Sequence, residues 1–282
     1  MNNNYVLACI DGASLTTAVV DYAAWVARQA GVPLKLLHNI EHRPQAAVAD
    51  LSGSIGLGSQ EELLEELTRV EQERSRLLRE KGKLMLKAAE ARARESGVTE
   101  VESWQRHGSL QESLVELEAD IRVLVMGIRG EEHSEGQLGA HLETVIRALH
   151  RPVLVVNTAF SVPRKVMLAY DGTEASRKAL DMVSASPVFD NIPCSLVYVG
   201  DDAKGDAVLG EAAQHLGAAG IPHDAVHLHG KIDEALIRFQ GENDVDLTVM
   251  GAFSHLRIRD VLLGSFTHKM LAGTRKPLLL LR

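Results

Sequence analysis

An internal repeat constrains this chain more than any other feature. The apolar run Tyr5-Val6-Leu7-Ala8-Cys9-Ile10 is closed by Asp11-Gly12, and Lys165-Val166-Met167-Leu168-Ala169-Tyr170 is closed by Asp171-Gly172, 160 residues later. Each run is followed by a helical stretch, Thr16 to Ala30 and Ser176 to Ser186, and then by a second apolar strand, Leu34 to Ile40 or Cys194 to Val199. Further along, Trp104 to Gly108 answers to Val226 to Gly230, Arg122 to Gly127 to Asp246 to Gly251, and Arg151 to Val156 to Lys276 to Leu281. Ten apolar strands alternating with helices in two sets of five predict two α/β domains of one plan. The polar stretch Asn157 to Pro163 separates them, giving expected domains 1–158 and 163–282, joined by a linker too short to let them swing apart.

Composition narrows the function classes. With 282 residues and 45% hydrophobic content the chain can bury two ordinary cores. A net charge of −8 argues against a general nucleic-acid binder, which needs basic surface to displace counterions. No apolar run approaches the roughly 20 residues of a membrane span, and Met1-Asn2-Asn3-Asn4 lacks the features of a signal peptide. Cys9 and Cys194 both sit in apolar runs, as expected of buried thiols in a reducing compartment. The expectation is a soluble cytoplasmic protein.

One stretch carries the chemistry. Leu247-Thr248-Val249-Met250 meets Gly251, a polar, basic loop follows, and Gly264-Ser265 then opens a helix. A glycine turn and the free amides of a helix N-terminus together form an anion cradle. The spacing Gly251, two residues, Ser254, nine residues, Gly264-Ser265 resembles the universal stress protein family, whose nucleotide-binding members carry Gly, two residues, Gly, nine residues, Gly and then Ser or Thr. The resemblance extends over the chain as two tandem copies.

It implies two tandem doubly wound sheets, each of five parallel strands in the order 3-2-1-4-5 with helices on both faces. Strands one and four are then neighbours whose connections leave in opposite directions, so Asp171 and Gly251 face one crevice. It further implies that Asp171 lies by adenosine or a phosphate-bound Mg²⁺, that Gly251, Gly264 and Ser265 line ribose and phosphates of ATP, and that Phe266 offers a backbone N–H. Ser254 stands at the family's second glycine, and Arg257 and Arg259 are phosphate candidates in the loop. Asp171 is equally readable as a simple helix cap, which is the preferred reading for Asp11. The family's single-domain members pair through their fifth strands, so the two copies here are expected to pair within the chain, Val153 to Val156 antiparallel to Leu278 to Leu281, with homodimerisation of whole chains left open.

The first copy departs further from the pattern. Gly127 and Gly130 keep the opening spacing, but one residue is missing before Gly139, so Ala140-His141 stand where Gly-Ser is expected. Glu131, Glu132 and Glu135 occupy its loop, and carboxylates beside phosphate repel by roughly 4 kcal/mol at 4 Å and an effective dielectric of 20. The second copy is therefore expected to bind nucleotide and the first to be degenerate. The first copy also carries a long charged helix, 60–96, with Leu63, Val70, Leu77, Leu84 and Ala91 every seven residues and Leu67 and Ala88 beside them. Arg74 and Lys81 interrupt the stripe, which favours a helix covering its own sheet over a partner-binding coiled coil.

His223, His227 and His229 share a strand face, but no further ligand completes a metal site, and edge-strand polarity explains them as well. No nucleophile-base pair is legible, so the chain reads as an adenine-nucleotide binding or signalling module with at most slow ATP hydrolysis. The alternative is a stress-response scaffold that binds a protein partner and no nucleotide.

Overall fold

The computed structural model describes residues 4–41, 57–130, 139–200, 204–252 and 264–282. The first half runs β1 (Tyr5–Cys9), α1 (Thr16–Ala30), β2 (Leu34–Ile40), α2 (Leu57–Glu95), β3 (Val101–His107), α3 (Leu110–Leu117), β4 (Ile121–Gly127), α4 (Ala140–Ala148) and β5 (Val153–Val156). The second runs β6 (Val166–Ala169), α5 (Glu174–Ala185), β7 (Cys194–Val199), α6 (Gly205–Ala218), β8 (His223–Leu228), α7 (Ile232–Glu242), β9 (Leu247–Gly251), α8 (Ser265–Gly273) and β10 (Leu278–Leu281). Helix α5 starts two residues before the predicted Ser176. The side chain of Thr173 takes the N-cap, accepting from the backbone N–H of Ser176 at 3.4 Å.

The ten strands form one sheet in the order β3-β2-β1-β4-β5-β10-β9-β6-β7-β8. Each half keeps the predicted order 3-2-1-4-5 with parallel neighbours. The halves meet where β10 pairs antiparallel with β5, with Leu278 opposite Val155, Leu279 opposite Leu154 and Leu280 opposite Val153. Parallel strands buried on both faces read as continuous apolar runs, and these do. Val6 and Ala8, Leu154 and Val156, Leu279 and Leu281 face one core layer, whereas Tyr5 and Leu7, Val153 and Val155, Leu278 and Leu280 face the other. Helices α1, α2, α5 and α6 cover the first layer, and α3, α4, α7 and α8 the second. Because the seam is antiparallel, the carboxyl ends of β1 to β5 point to one rim of the sheet and those of β6 to β10 to the opposite rim.

The linker is fastened on both sides. Phe160 packs edge-on against Tyr22 of α1 with ring centroids 4.8 Å apart, and Asn157 donates its side-chain amide to the carbonyl of Thr274 at 3.0 Å. At the far end of the seam, the Arg282 guanidinium donates to the carbonyl of Arg147.

Helix α2 corrects one expectation. It is long, as predicted, but the heptad stripe does not cover the sheet: Val70, Leu77 and Leu84 are 53%, 57% and 69% exposed. The covering face is Gly82, Leu86, Ala89 and Ala93. These recur at intervals of three and four, the period of a straight helix on a flat surface, and Gly82 lets the backbone approach His38 and Gln105, which a Cβ would meet within 2.5 Å. From 65 to 74 every residue except Leu67 is exposed, so the N-terminal part of α2 stands clear of the sheet.

The seam is expected to hold the two halves in one cooperative unit. Leu279 is 3% exposed opposite Leu154 at 2%, so Leu279→Ala should cost about 2–5 kcal/mol through lost burial and the cavity left behind. The check is a urea denaturation midpoint, which should fall for the whole protein in one transition.

Candidate functional site

In the second half, β6 and β9 are neighbours, with Ala169 opposite Met250. Their connections leave to opposite faces, into α5 and α8, and a cavity of about 80 Å³ opens between them. Asp171, Gly251 and Phe266 line it, although eighty residues separate the first two. Its walls are Val197, Val199, Ile232, Leu236 and Met250. Gly264 is the N-cap of α8 and Ser265 its first residue, next to Phe266 in the chain. Ser254 and Arg257 lie outside the described residues.

The polar end of this cavity rests on one turn. Asp171 Oδ1 accepts from the backbone N–H of Thr173 at 3.0 Å and from its hydroxyl at 2.6 Å, across Gly172 at φ 76°. The carboxylate is therefore held by the turn that leads into α5, whose N-cap is Thr173, so Asp171 stands at the crevice and is not itself the cap. Thr173 and Ser176 also line the cavity and were not anticipated. The Thr-x-x-Ser spacing after Asp-Gly was the available signal. Gly251 has a structural reason of its own: a Cβ there would lie 2.8 Å from the Cβ of Ala175 and 3.0 Å from the backbone nitrogen of Ser176. Strand β9 and helix α5 can approach this closely only through a glycine.

The first half carries the matching crevice, and it is the roomier one, about 280 Å³. Asp11, Gly127, Gly130, Gly139 and His141 line it, and Arg74, Leu78, Lys81 and Met85 of α2 reach over it. Asp11 Oδ1 accepts from the backbone N–H of Ala13 at 3.0 Å and the Thr16 hydroxyl at 2.9 Å, but the N-cap of α1 is Leu15, so Asp11 braces the turn before the helix and is not the cap expected of it. His38 Nδ1 lies 2.7 Å from the carbonyl of Ile10, and His141 Nε2 lies 3.6 Å from a carboxylate oxygen of Glu41. The missing loop residue does not displace the helix cap. Gly139 is the N-cap of α4 as Gly264 is of α8, so the departure is the loss of a hydroxyl, Ala140 standing for Ser265. The Gly139 N–H is spent on the carbonyl of Ile128 at 2.9 Å, closing the base of the loop. Glu131, Glu132 and Glu135 lie outside the described residues.

The model of the universal stress protein family matches residues 3–157 and 200–282. Universal stress protein Slr1230 of Synechocystis is 37% identical over 98% of this chain and 99% of its own length. The chain belongs to the universal stress protein family. A solved universal stress protein from Archaeoglobus fulgidus has the same fold over 100% of this chain and 99% of its own, with a TM-score of 0.73 at 17% identity. So does a functionally unknown protein from Pseudomonas aeruginosa, over 99% of this chain and 92% of its own, with a TM-score of 0.63 at 16% identity. At those identities the likeness concerns the fold.

Elsewhere in this universal stress protein the histidines of β8 have local partners. His227 Nδ1 faces Asp206 Oδ1 and its Nε2 faces the carbonyl of Gly200, both at 2.9 Å, and its ring stands edge-on to Tyr198. His223 Nδ1 faces the carbonyl of Ile221 at 2.9 Å. Among the described residues no group of three His, Cys, Asp or Glu side chains could hold a metal ion, and no helix is long and apolar enough to cross a membrane. Burial pushes the thiols of Cys9, at the first crevice, and Cys194 up to about 12.

The two glycines of the second crevice should separate in a stability measurement. Gly251→Ala drives a methyl against the backbone of α5 and is expected to cost about 1–3 kcal/mol. At Gly264, φ is −50° and a Cβ meets no atom of the described residues within 4 Å, so Gly264→Ala should leave the urea midpoint within a few tenths of a kcal/mol.

Proposed function

We propose that this universal stress protein binds an adenine nucleotide, ATP with Mg²⁺, in its second half and works as a cytoplasmic stress-response binding or signalling module rather than an enzyme. The reading takes 1–158 and 163–282 as its two domains. The observation that carries it is the meeting of Asp171, Gly251 and Phe266 in one cavity beyond the carboxyl ends of adjacent parallel strands, at a point where the strand order reverses.

The donors suit the parts of a nucleotide. Val197, Val199, Ile232 and Leu236 form an apolar slot for a purine face, and Asp171, fixed by Thr173, offers an acceptor to its amino group or to ribose. The N-terminal amides of α8 and the hydroxyl of Ser265 would hold phosphate. A cavity of about 80 Å³ is below the roughly 300–1,000 Å³ of ordinary ligand pockets, so it takes the base end while the phosphates extend toward Gly264. Asp171 is the one acidic or histidine side chain lining that cavity among the described residues, so Mg²⁺ would be held chiefly by the phosphates and water, as is usual for this ion.

Thermal unfolding with ATP and Mg²⁺ tests the reading. Ligand at about a hundredfold excess over Kd should raise Tm by roughly 4–6 °C. Gly264→Val should abolish the shift without loss of fold, since a Cβ at that position meets none of the described residues, and Gly139→Ala should leave it intact. The larger first crevice supports a second reading, in which that site takes the nucleotide; loss of the shift in Gly139→Ala alone would select it. Absence of any shift in the natural sequence would leave the scaffold reading.

A further inference from the structure

Three of the six large apolar side chains that stand exposed among the described residues, Val70, Leu77 and Leu84, lie on one line of α2, seven residues apart. The line lies on the side of the helix away from Gly82, Leu86, Ala89 and Ala93, which meet the sheet. At 100° per residue the heptad interval drifts by only about 20°, so the three stay on one ridge about 20 Å long. Such a ridge in water is an unfilled half of a helix pair.

The charges beside the ridge specify the other half. Residues four before or three after a ridge position fall on one flank, and those three before or four after fall on the other. The first flank is Glu66, Glu73 and Glu80 with Lys87 at its C-terminal end, and the second is Arg74 and Lys81 between the apolar Leu67 and Ala88. The acids already sit in local pairs, Glu66 with Arg69 at 2.8 Å, Glu73 with Arg76 at 3.0 Å and Glu80 with Lys83 at 2.9 Å, and Arg74 lies 3.7 Å from Glu71. Arg74 and Lys81 also reach the rim of the first crevice. When two such helices pair side by side with the same direction, a two-fold axis along them brings the acidic flank of each against the basic flank of the other. Opposite directions would set acid against acid and base against base.

We propose that the free ridge of α2 docks against the same ridge of a second copy of this chain, the two helices parallel, with Val70, Leu77 and Leu84 in the seam and Glu73 and Glu80 facing the partner's Arg74 and Lys81. The edges β5 and β10 are occupied by each other within the chain, so strand pairing there does not serve this purpose. The sheet-facing side of α2 points away from the proposed seam. The inference does not rest on nucleotide binding.

Sedimentation equilibrium of the full chain at about 100 µM should show a dimer. Leu77→Glu should give a monomer with an unchanged circular dichroism spectrum and unchanged Tm in the dilute range where the natural chain is also monomeric. The double variant Glu73→Lys, Glu80→Lys should weaken self-association at least tenfold. Mixed with the double variant Arg74→Glu, Lys81→Glu, it should form a heterodimer. Direction is read by oxidation: Leu84→Cys should cross-link to itself, while an equimolar mixture of Val70→Cys and Leu84→Cys chains should give no mixed dimer beyond the background of random collision. The natural chain, oxidised alongside, is the control for cross-linking through Cys9 and Cys194, and its cross-linking is expected to be negligible. A natural chain that stays monomeric, a Leu77→Glu chain that still dimerises, or preferential cross-linking of Val70→Cys to Leu84→Cys would overturn the proposal. The ATP-dependent Tm shift, measured on the same variants, reports the nucleotide site separately.

Discussion

The antiparallel pairing of two four-residue strands, β5 and β10, is the contact on which the rest of the architecture depends. Each strand would otherwise be an exposed edge of a parallel sheet, with a row of unpaired backbone groups and an all-apolar sequence, the arrangement most prone to unwanted pairing. Joined, they satisfy each other's hydrogen bonds and align two core layers across the whole molecule. Tyr22 against Phe160, Asn157 to Thr274 and Arg282 to Arg147 secure the same junction from outside the sheet. These contacts keep the crevices of the two halves in a fixed relation.

Much of this was legible in the sequence, because burial on both faces leaves a plain mark. The runs ending in Asp11-Gly12 and Asp171-Gly172 identified two copies, and their strands fell within two residues of prediction except β3 and β8, which begin three residues earlier. The seam between Val153–Val156 and Leu278–Leu281 was expected from the family resemblance and is seen. What misled was the heptad stripe of α2. A count of apolar residues at intervals of seven cannot tell a helix face that meets a sheet from one that meets a partner, and here the sheet-facing side is built of smaller residues, Gly82, Ala89 and Ala93, with Leu86.

The site was legible to a lesser degree. Spacing brought Asp171 and Gly251 together correctly because the strand order requires it. It did not foresee that Gly251 is demanded by the approach of α5, nor that Thr173 both caps a helix and holds the aspartate. Counting nine residues set Ala140 where the last glycine of the family's loop stands, whereas Gly139 takes that place. Helix α4 keeps its capping glycine, and the change is the replacement of a hydroxyl by a methyl at Ala140. Nor could motif spacing anticipate that the copy with the poorer loop has the larger crevice, since much of that volume is enclosed by α2, which enters from elsewhere in the chain.

The reversal of strand direction at the junction has a topographical result. The mouth of one crevice and the mouth of the other open on opposite rims of a slab ten strands wide, so no small molecule can bridge them and no two occupants can touch. Influence between them would have to travel as a shift of the slab itself, through the hydrogen bonds of four central strands. The chain thus resembles a two-ended plug with sockets facing away from each other.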